Sequence, residues 1–308
     1  MLRTEDEKVF LLKRRAKRRE DVRKVAFCHC IQRELVNRQF PLPRLIGTRR
    51  QNHTMLSLES GTYEVFEYIP GNVYDGSPEA TTDAGRTLAL FHKLLANHES
   101  KFPAPRGSYH ASASVTKSCN QIPSTLIRTE PEADRAEIGR ITQFLFEAYK
   151  AAALHSDQAG LGLWPVQIAH SDWHPGNMLF RGPRVMAVID YDAARMQQRI
   201  VDTANGALQF SILGGSDDPE TWPDNLDEAR FKRFVRGYDS VPEALLSQVE
   251  LQVLPALMIE ALIAESVIPI AATGYFARMP GARFLPMIER KVLWLQNHRQ
   301  DLVDAAIG

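Results

Sequence analysis

The sequence of 308 residues is poor in cysteine, has no excess of either charge and lacks an uninterrupted apolar run of membrane-spanning length. Its three cysteines, Cys28, Cys30 and Cys119, form an odd set without the spacing of a zinc site or a disulfide framework. This predicts a reducing compartment and a cytoplasmic protein. Thirty-seven basic residues balance thirty-seven acidic ones, so no global field favours nucleic acid or an anionic membrane as a partner.

The longest apolar stretch, LPALMIEALIAESVIPIAA, is interrupted by Glu260 and Glu265 before it could cross a bilayer. No apolar segment of the signal-peptide kind follows the N-terminus. We therefore expect a core helix and no membrane association. The two glutamates have two interpretations: exposure on one edge of the helix, or an anionic wall for a positively charged ligand.

What the sequence contains is typical of a globular protein with a substantial core, arranged as one large domain or two lobes, since 44% of it is apolar and 24% charged. Patterns of a strand, a helix and two strands occupy 8–15, 21–38, 53–60 and 63–71. From Ser77 onward helical 3–4 spacing dominates, after a Ser-Pro helix start. A Ser-, Pro- and Ala-rich connector is expected at 102–128, and a hairpin at 177–194. These patterns predict an α+β fold.

The segment IAHSDWHPGNMLF, residues 168–180, concentrates polar side chains before an apolar run. Asp172 and Asn177 are five positions apart, and Asp190 lies thirteen beyond Asn177, at the end of the predicted hairpin. Phosphoryl transfer requires a carboxylate that orients and deprotonates an acceptor hydroxyl, and hard oxygen ligands that hold Mg²⁺ against the ATP phosphates. The hairpin would return the second carboxylate to the first, so this spacing favours phosphoryl transfer.

Two other interpretations of this segment were open. The polar side chains could cap a loop and satisfy backbone groups. Alternatively, His170, Asp172 and His174 alternate and could ligate a transition metal in a metallohydrolase. Pro175 and Gly176 break the strand on which such ligands would face one way, which disfavours the metal site. A buried, hydrogen-bonded structural role explains His170 without chemistry.

HSDWHPGNMLF, followed by VIDYDAARMQQRIVDTA, resembles the aminoglycoside phosphotransferase and choline kinase-like superfamily of small-molecule kinases. The resemblance implies a protein-kinase-like bilobal α+β fold, with a nucleotide-binding lobe at 1–72 and a helical catalytic lobe at 73–308. It implies ATP and Mg²⁺ as cofactors, and transfer of the γ-phosphoryl group to a small-molecule hydroxyl. An aminoglycoside, an amino alcohol, a sugar or a homoserine-like molecule would be the acceptor.

The same resemblance assigns roles to residues around the motif. Asp172 would be the catalytic base, Asn177 and Asp190 the metal ligands, and His170 and Asp202 the supports of the loop. Asp192 would give a second metal contact or bind a cationic acceptor, and Trp173 would offer a surface on which the acceptor stacks. Upstream, VFLLKRR resembles the strand of the phosphate-binding lysine, here Lys13. FEYIPG resembles the hinge that holds adenine, formed by Glu67, Tyr68 and Ile69.

The sequence departs from the superfamily pattern in two places. Only twelve residues precede Lys13, so we expect no hairpin there to cover the nucleotide phosphates. Cys28 falls where a helix glutamate should pair with that lysine, and Glu34 would point elsewhere on the helix. These departures leave a non-catalytic, pseudokinase-like binding protein as the alternative. The basic run at 13–20 could also be a solvated turn, and flanking acidic residues argue against nucleic-acid binding. Nothing in the sequence indicates the oligomeric state.

Overall fold

The computed structural model describes residues 1–15 and 21–308. The β-rich part contains β1 (Leu2–Arg3), β2 (Val9–Arg15), α1 (Val22–Asn37), β3 (Leu56–Leu58) and β4 (Gly61–Glu67). The larger part contains α2 (Pro78–Leu95), α3 (Ala113–Thr129), α4 (Arg135–Gln158), β5 (Val166–Ala169), β6 (Met178–Arg181), β7 (Arg184–Val188), β8 (Arg195–Gln198), α5 (Arg199–Ser211), α6 (Glu228–Asp239), α7 (Gln248–Thr273), β9 (Tyr275–Phe276), β10 (Met279–Pro280), α8 (Gly281–Asn297) and α9 (Arg299–Ile307). The predicted α+β class is confirmed.

The β-rich lobe is an antiparallel sheet in the order β1-β2-β4-β3, with α1 following β2 in the chain. Lys13 of β2 lies opposite Glu64 of β4. Because alternate residues of a strand share a face, Arg15 lies on the same face as Lys13. Asp21 caps the start of α1, accepting from the amides of Arg23 and Lys24. This sheet face carries the charged side chains of the site described below.

A short hairpin precedes Lys13, contrary to the sequence expectation. Leu2 and Arg3 pair antiparallel with Phe10 and Val9. The turn residues 4–8 are not among those that line the cleft between the lobes. The hairpin in the structure therefore extends the sheet edge and does not cover a nucleotide. Residues 16–20, the rest of the basic run, lie outside the described residues.

The predicted core helix is α7. Among the described residues, this one helix is long and apolar enough to cross a membrane. However, 83% of its most apolar 18-residue window is buried within the protein. The expected connector at 102–128 was wrong beyond residue 112. Ser112 caps α3, and Val115, Ile122 and Leu126 are buried at helical spacing, so the apolar face outweighs the helix-breaking composition.

Two glycines let α2 and α6 pack at very close range. A Cβ on Gly85 would lie 2.0 Å from the carbonyl oxygen of Phe234, and one on Gly237 would lie 2.0 Å from that of Thr82. Any side chain at either position would therefore force the helices apart. From α2, Asp83 accepts a hydrogen bond from the amide of Val185 in β7 at 2.8 Å. The helix pair thus fixes the hairpin formed by β6 and β7.

Candidate active site

The loop after β5 is held by a buried carboxylate behind it. Asp202 of α5 accepts hydrogen bonds from the amides of His170 at 2.7 Å and Ser171 at 2.8 Å. Its third partner is the imidazole of His92, at 3.1 Å. Ser171 has a positive φ of 65°, an unfavourable conformation for a non-glycine residue. The two amide hydrogen bonds to Asp202 hold the backbone in this conformation, and His92 fixes the carboxylate.

His170 and Trp173 fill space beneath the loop. Both are fully buried, and their rings pack edge to face with centroids 5.4 Å apart. Burial lowers the pKa of His170, and no partner in the described residues hydrogen-bonds its ring nitrogens. The prediction that an acceptor stacks on Trp173 is wrong, because the indole has no exposed surface. His170 also does not converge with Asp172 and His174, so the transition-metal interpretation has no geometric support.

The loop presents Asp172 beside Asn177. The amide nitrogen of Asn177 donates to the Asp172 carboxylate at 2.7 Å and to its backbone carbonyl at 3.0 Å. His174 lies 3.6 Å from the other carboxylate oxygen. Burial works to raise the pKa of Asp172, but the nearby His174 imidazole and the hydrogen bond from Asn177 outweigh it and lower the pKa. Asp172 is therefore a carboxylate at neutral pH, able to accept a proton or a hydrogen bond.

The hairpin of β6 and β7 brings Asp190 to the same place. The amide of Ile189 donates to the carbonyl of Asn177 at 2.9 Å, which joins the end of the hairpin to the loop. Asp190 has a positive φ of 59°, so the chain turns sharply there. Its carboxylate is half exposed and lies 3.4 Å from the ammonium of Lys13. The amide group of Asn177 uses its nitrogen on Asp172, which leaves its oxygen for another ligand.

Asp192 joins the two lobes. One of its oxygens accepts from Lys13 at 2.8 Å, and both accept from the guanidinium of Arg15, at 2.8 and 2.5 Å. Burial opposes ionisation of Asp192, but the hydrogen bonds from Arg15 and Lys13 prevail and lower its pKa to about 2. Since two protein cations already neutralise it, the structure gives no support to Asp192 as the partner of a cationic acceptor.

Cys28 lies near this site but cannot act as the expected glutamate would. Its thiol donates to the carbonyl of Tyr191 at 3.2 Å, and burial raises its pKa to about 11. It is therefore uncharged at neutral pH. Glu34 pairs with Arg38 on its own helix. Lys13 instead contacts Asp190 and Asp192, both from the larger lobe.

A cleft of about 320 Å³ lies between the lobes. Its lining combines apolar side chains with Lys13, the segment Glu67 to Ile69, Asp190 and Asp192. Within the predicted hinge, the amide of Glu67 donates to the carbonyl of Arg44 and that of Tyr68 to the carbonyl of Val9. The amide of Ile69, by contrast, donates to no backbone carbonyl in the described part of the chain.

A second cavity, of about 310 Å³, lies beside Ser171 on the other side of the loop. Glu265 of α7, Asn205 of α5 and Arg195 of β8 line it. The side-chain oxygen of Asn205 is buried and has no hydrogen-bond partner among the described residues. Gln209 donates to Glu265. The cavity therefore offers a carboxylate, a free carbonyl-type oxygen and a guanidinium to a bound molecule.

Glu260 and Glu265, the two glutamates within the apolar stretch of α7, differ in environment. Glu260 is fully buried and accepts hydrogen bonds from His110 at 2.9 Å and from the amide of Ala111 at 3.0 Å, so the expectation that it is exposed is wrong. Burial, aided by the negative charge of Asp172, raises the pKa of Glu265 to about 7 although His174 works against the shift. Of the two, only Glu265 lines the second cavity.

The residues around the cleft fit a magnesium–nucleotide complex. Asp190 and the amide oxygen of Asn177 are hard oxygen ligands, and Mg²⁺ is usually held by one or two protein ligands of this kind together with substrate phosphates. No group of three or more His, Cys, Asp or Glu side chains in 1–15 and 21–308 converges to hold a metal ion alone. Asp190 and Asn177 would therefore hold the ion together with the phosphates of a bound nucleotide.

The fold and the site together define a protein-kinase-like phosphotransferase, with a catalytic-type loop, a hairpin and an interlobe cleft. A profile of the phosphotransferase enzyme family matches residues 1–246. The chain belongs to this family and is a phosphotransferase enzyme. No curated protein sequence matches it.

Solved structures share the fold at low sequence identity. The amicoumacin kinase hAmiN, in complex with AMP-PNP, Ca²⁺ and Ami, is 13% identical with a TM-score of 0.66, covering 98% of this chain and 84% of its own. An aminoglycoside phosphotransferase from Alicyclobacillus acidocaldarius is 15% identical with a TM-score of 0.64, covering 99% and 88%. A choline kinase from Cryptosporidium parvum is 14% identical with a TM-score of 0.61, covering 95% and 83%.

Several residues of the site were missed from the sequence. His92 lies on α2 and gave no signal in its helical pattern. Glu64 and Asn205 looked like ordinary polar positions of a strand and a helix. Arg15 had a detectable signal, since it lies two residues after Lys13 on a predicted strand and must share its face.

Proposed function

We propose that this enzyme transfers the γ-phosphoryl group of ATP to a hydroxyl group of a small molecule. The observation that carries the proposal is the joined loop and hairpin. Asn177 hydrogen-bonds both Asp172 and Ile189, and Asp190, the next residue, lies beside Lys13. These contacts support a base, two oxygen ligands and a phosphate-binding cation linked through the loop and the hairpin beside the cleft, the set of groups that phosphoryl transfer requires.

Each of these groups has a role in this proposal. Asp172 orients the acceptor hydroxyl and takes its proton. Asn177 and Asp190 hold Mg²⁺, which when bound neutralises charge on the phosphates. Lys13 contacts the phosphates, and the free amide of Ile69 donates to the adenine ring. Phosphorylation of amicoumacin and choline is named for proteins of this fold, and one of them binds AMP-PNP.

The second cavity is the proposed acceptor site, because it lies beside Ser171 and next to the base. Its carboxylate, Glu265, is partly buried and has no cation hydrogen-bonded to it in the described residues, and an anion withdrawn from water is costly without one. An ammonium group on the acceptor would supply the missing charge. We therefore propose a hydroxylated amine as the acceptor, with Arg195 available for an anionic group on the same molecule.

The remaining parts of the proposal follow the sequence predictions. The nucleotide-binding lobe ends near residue 72, where Asn72 pairs with Phe180 of β6, and the helical lobe begins at 73. The protein acts in the cytoplasm on a small molecule, without nucleic acid or membrane.

A screen of acceptors by coupled ADP release tests the function. Amino alcohols, aminoglycosides, hydroxy amino acids and neutral sugars are compared, and ADP release with Mg²⁺ is expected to rise with hydroxylated amines above the rate without acceptor. Calorimetric titration with AMP-PNP is expected to show binding that requires Mg²⁺.

The uncharged Cys28 favours a second candidate function, that of a pseudokinase-like binding protein. Binding of the nucleotide with no turnover of any acceptor would support that candidate.

Glu265→Gln tests the amine preference through its pH dependence. At pH below about 7 the carboxyl is protonated, so the KM of an amine acceptor should fall as the pH rises through this value. The substitution should raise that KM about tenfold to a hundredfold and remove its pH dependence, because a hydrogen bond to a charged group is lost. Initial rates with the amine and with its neutral hydroxyl analogue measure this. The ionisable groups of Asp172 and His174, which lie near this site, are present in both proteins, so the comparison isolates the effect of Glu265.

The neutral analogue is the control, since its KM should change little. An equal change for both acceptors would contradict the assignment of Glu265.

The stability of the protein gives a second measurement of the Glu265 carboxyl group. The folded-state pKa of Glu265 lies above its ordinary value of 4.5, so its contribution to stability is lost as the pH rises through about 7. Glu265→Gln should therefore gain unfolding free energy over the parent at higher pH.

A further inference from the structure

A continuous chain of hydrogen-bonded polar groups runs from the back of the small lobe to the cleft. Thr54 is hydrogen-bonded to His29 of α1 at 2.7 Å, and the other ring nitrogen of His29 to Glu64 of β4 at 2.6 Å. Glu64 accepts from Arg15 of β2, and Arg15 forms the two-pronged contact with Asp192 described above. This series of hydrogen bonds ends at Lys13 and is distinct from the contacts of the catalytic loop.

The members of this chain are fixed by burial. The side chains of Glu64 and His29 are 1% and 3% exposed, and that of Arg15 is 17% exposed, whereas Lys13 is 34% exposed. Burial would lower the pKa of Arg15, but hydrogen bonds to Asp192 and Glu64 outweigh it and raise the pKa. A planar guanidinium that engages two carboxylates at once has little rotational freedom. Arg15 is therefore the rigid member, and Lys13 is the more exposed one.

This arrangement has a consequence for Lys13. If Asp192 had no other partner, it would bind the Lys13 ammonium as a simple ion pair and compete with any phosphate. Because Arg15 engages both oxygens of Asp192, that carboxylate is held at a fixed position and its charge is shared between two cations. Lys13, 2.8 Å from Asp192 and 3.4 Å from Asp190, is thus held at the cleft between two carboxylates, one of which it shares with Arg15.

We infer that Arg15, fixed by Glu64 and His29, is a positioning residue that orients Asp192 and through it Lys13 for the nucleotide. Glu64 of the sheet thus provides a buried carboxylate in this lobe, whereas α1 has Cys28 at the position where the superfamily pattern has a glutamate. The inference rests on the proposed function, since it concerns how the cleft is prepared for nucleotide phosphates.

A double-mutant cycle on Arg15 and Asp192 tests this inference, with Mg²⁺ and AMP-PNP as the probe in calorimetric titrations. Arg15→Met should weaken nucleotide binding about tenfold or more, as expected when one partner of a buried charge pair is removed. In the Asp192→Asn background the same substitution should cost less than about threefold, because Arg15 acts through Asp192. Arg15→Lys, which keeps the charge but not the fork, should lie between the parent and Arg15→Met.

Arg14→Met is the matched control, because Arg14 is the neighbouring residue of β2 and is exposed on the opposite face. It should leave nucleotide affinity within about twofold. If Arg15→Met does not fold because the buried Glu64 keeps only His29 as a partner, the double variant Arg15→Met with Glu64→Gln removes both buried charges and takes its place in the cycle. The KM for the acceptor should stay unchanged throughout, which separates positioning from general destabilisation.

The outcomes are distinguishable. An equal loss of affinity from Arg15→Met with and without Asp192 would overturn the inference, as would an affinity equal to that of the parent. Absence of nucleotide binding by the parent protein would instead contradict the proposed function and this inference with it.

Discussion

Asp190→Ala is expected to reduce phosphoryl transfer by about ten-thousandfold or more, the largest effect among the substitutions considered. The proposed metal contact contributes several kcal/mol of charge stabilisation, at about 1.4 kcal/mol per tenfold in rate. Asp190 also lies 3.4 Å from Lys13, so its loss disturbs the phosphate-binding cation as well. Coupled ADP release with the acceptor found in the screen measures the rate.

Calorimetry on Asp190→Ala should show that nucleotide binding has lost its dependence on Mg²⁺. Asp217→Ala is the matched control, because Asp217 is an exposed aspartate of a distant loop, and it should behave as the parent does. A fully active Asp190→Ala protein would exclude Asp190 as a metal ligand. A thermal unfolding scan of Asp190→Ala should match that of the parent, because the carboxylate is half exposed.

Asp172→Asn should lower kcat by about 10² to 10⁴, the range of general-base assistance, while nucleotide binding stays nearly intact. The amide is almost isosteric with the carboxylate and can still accept a hydrogen bond from Asn177, but it cannot take a proton. Because the pKa of Asp172 is lowered, the parent needs no deprotonation of this group near neutral pH. Single-turnover rates and AMP-PNP affinity, measured on the same samples, separate the two effects.

Asp217→Asn serves as the control for this substitution. Parent-like transfer to the true acceptor by Asp172→Asn would show that another group takes the proton. A proportionate loss of nucleotide affinity would show that Asp172 acts in binding. The expected order, Asp190→Ala more damaging than Asp172→Asn, is a further check, since a metal ligand contributes to positioning as well as to chemistry.

The sequence allowed most of the fold and the centre of the site to be predicted. Asp172, Asn177 and Asp190 lie within nineteen consecutive residues, joined by a loop and a hairpin whose turn signals are local. The long apolar stretch at 254–272 likewise predicted the core helix that is seen as α7. Such predictions succeed because short-range spacing and alternation follow directly from helix and strand geometry.

The predictions that failed depended on contacts between distant segments. Trp173 follows the base in the sequence, yet α2 and α5 enclose it completely. Glu260 and Glu265 lie on one helix, and only the position of that helix in the bundle directs the second towards the catalytic loop. No local pattern encodes which side of a residue a distant element will cover.

The sequence by itself determined the α+β class, the polar loop at 170–177 and the spacing of its carboxylate and amide groups, because these arise from neighbouring residues. Only the tertiary structure decided which carboxylate supports the cationic face of β2. Glu64, His29 and Asp192 come from a strand, a helix and the opposite lobe, and they meet at Arg15 only once the sheet has packed on α1 and on the larger lobe. A buried ion pair depends on three-dimensional proximity, which residue spacing along the chain does not specify.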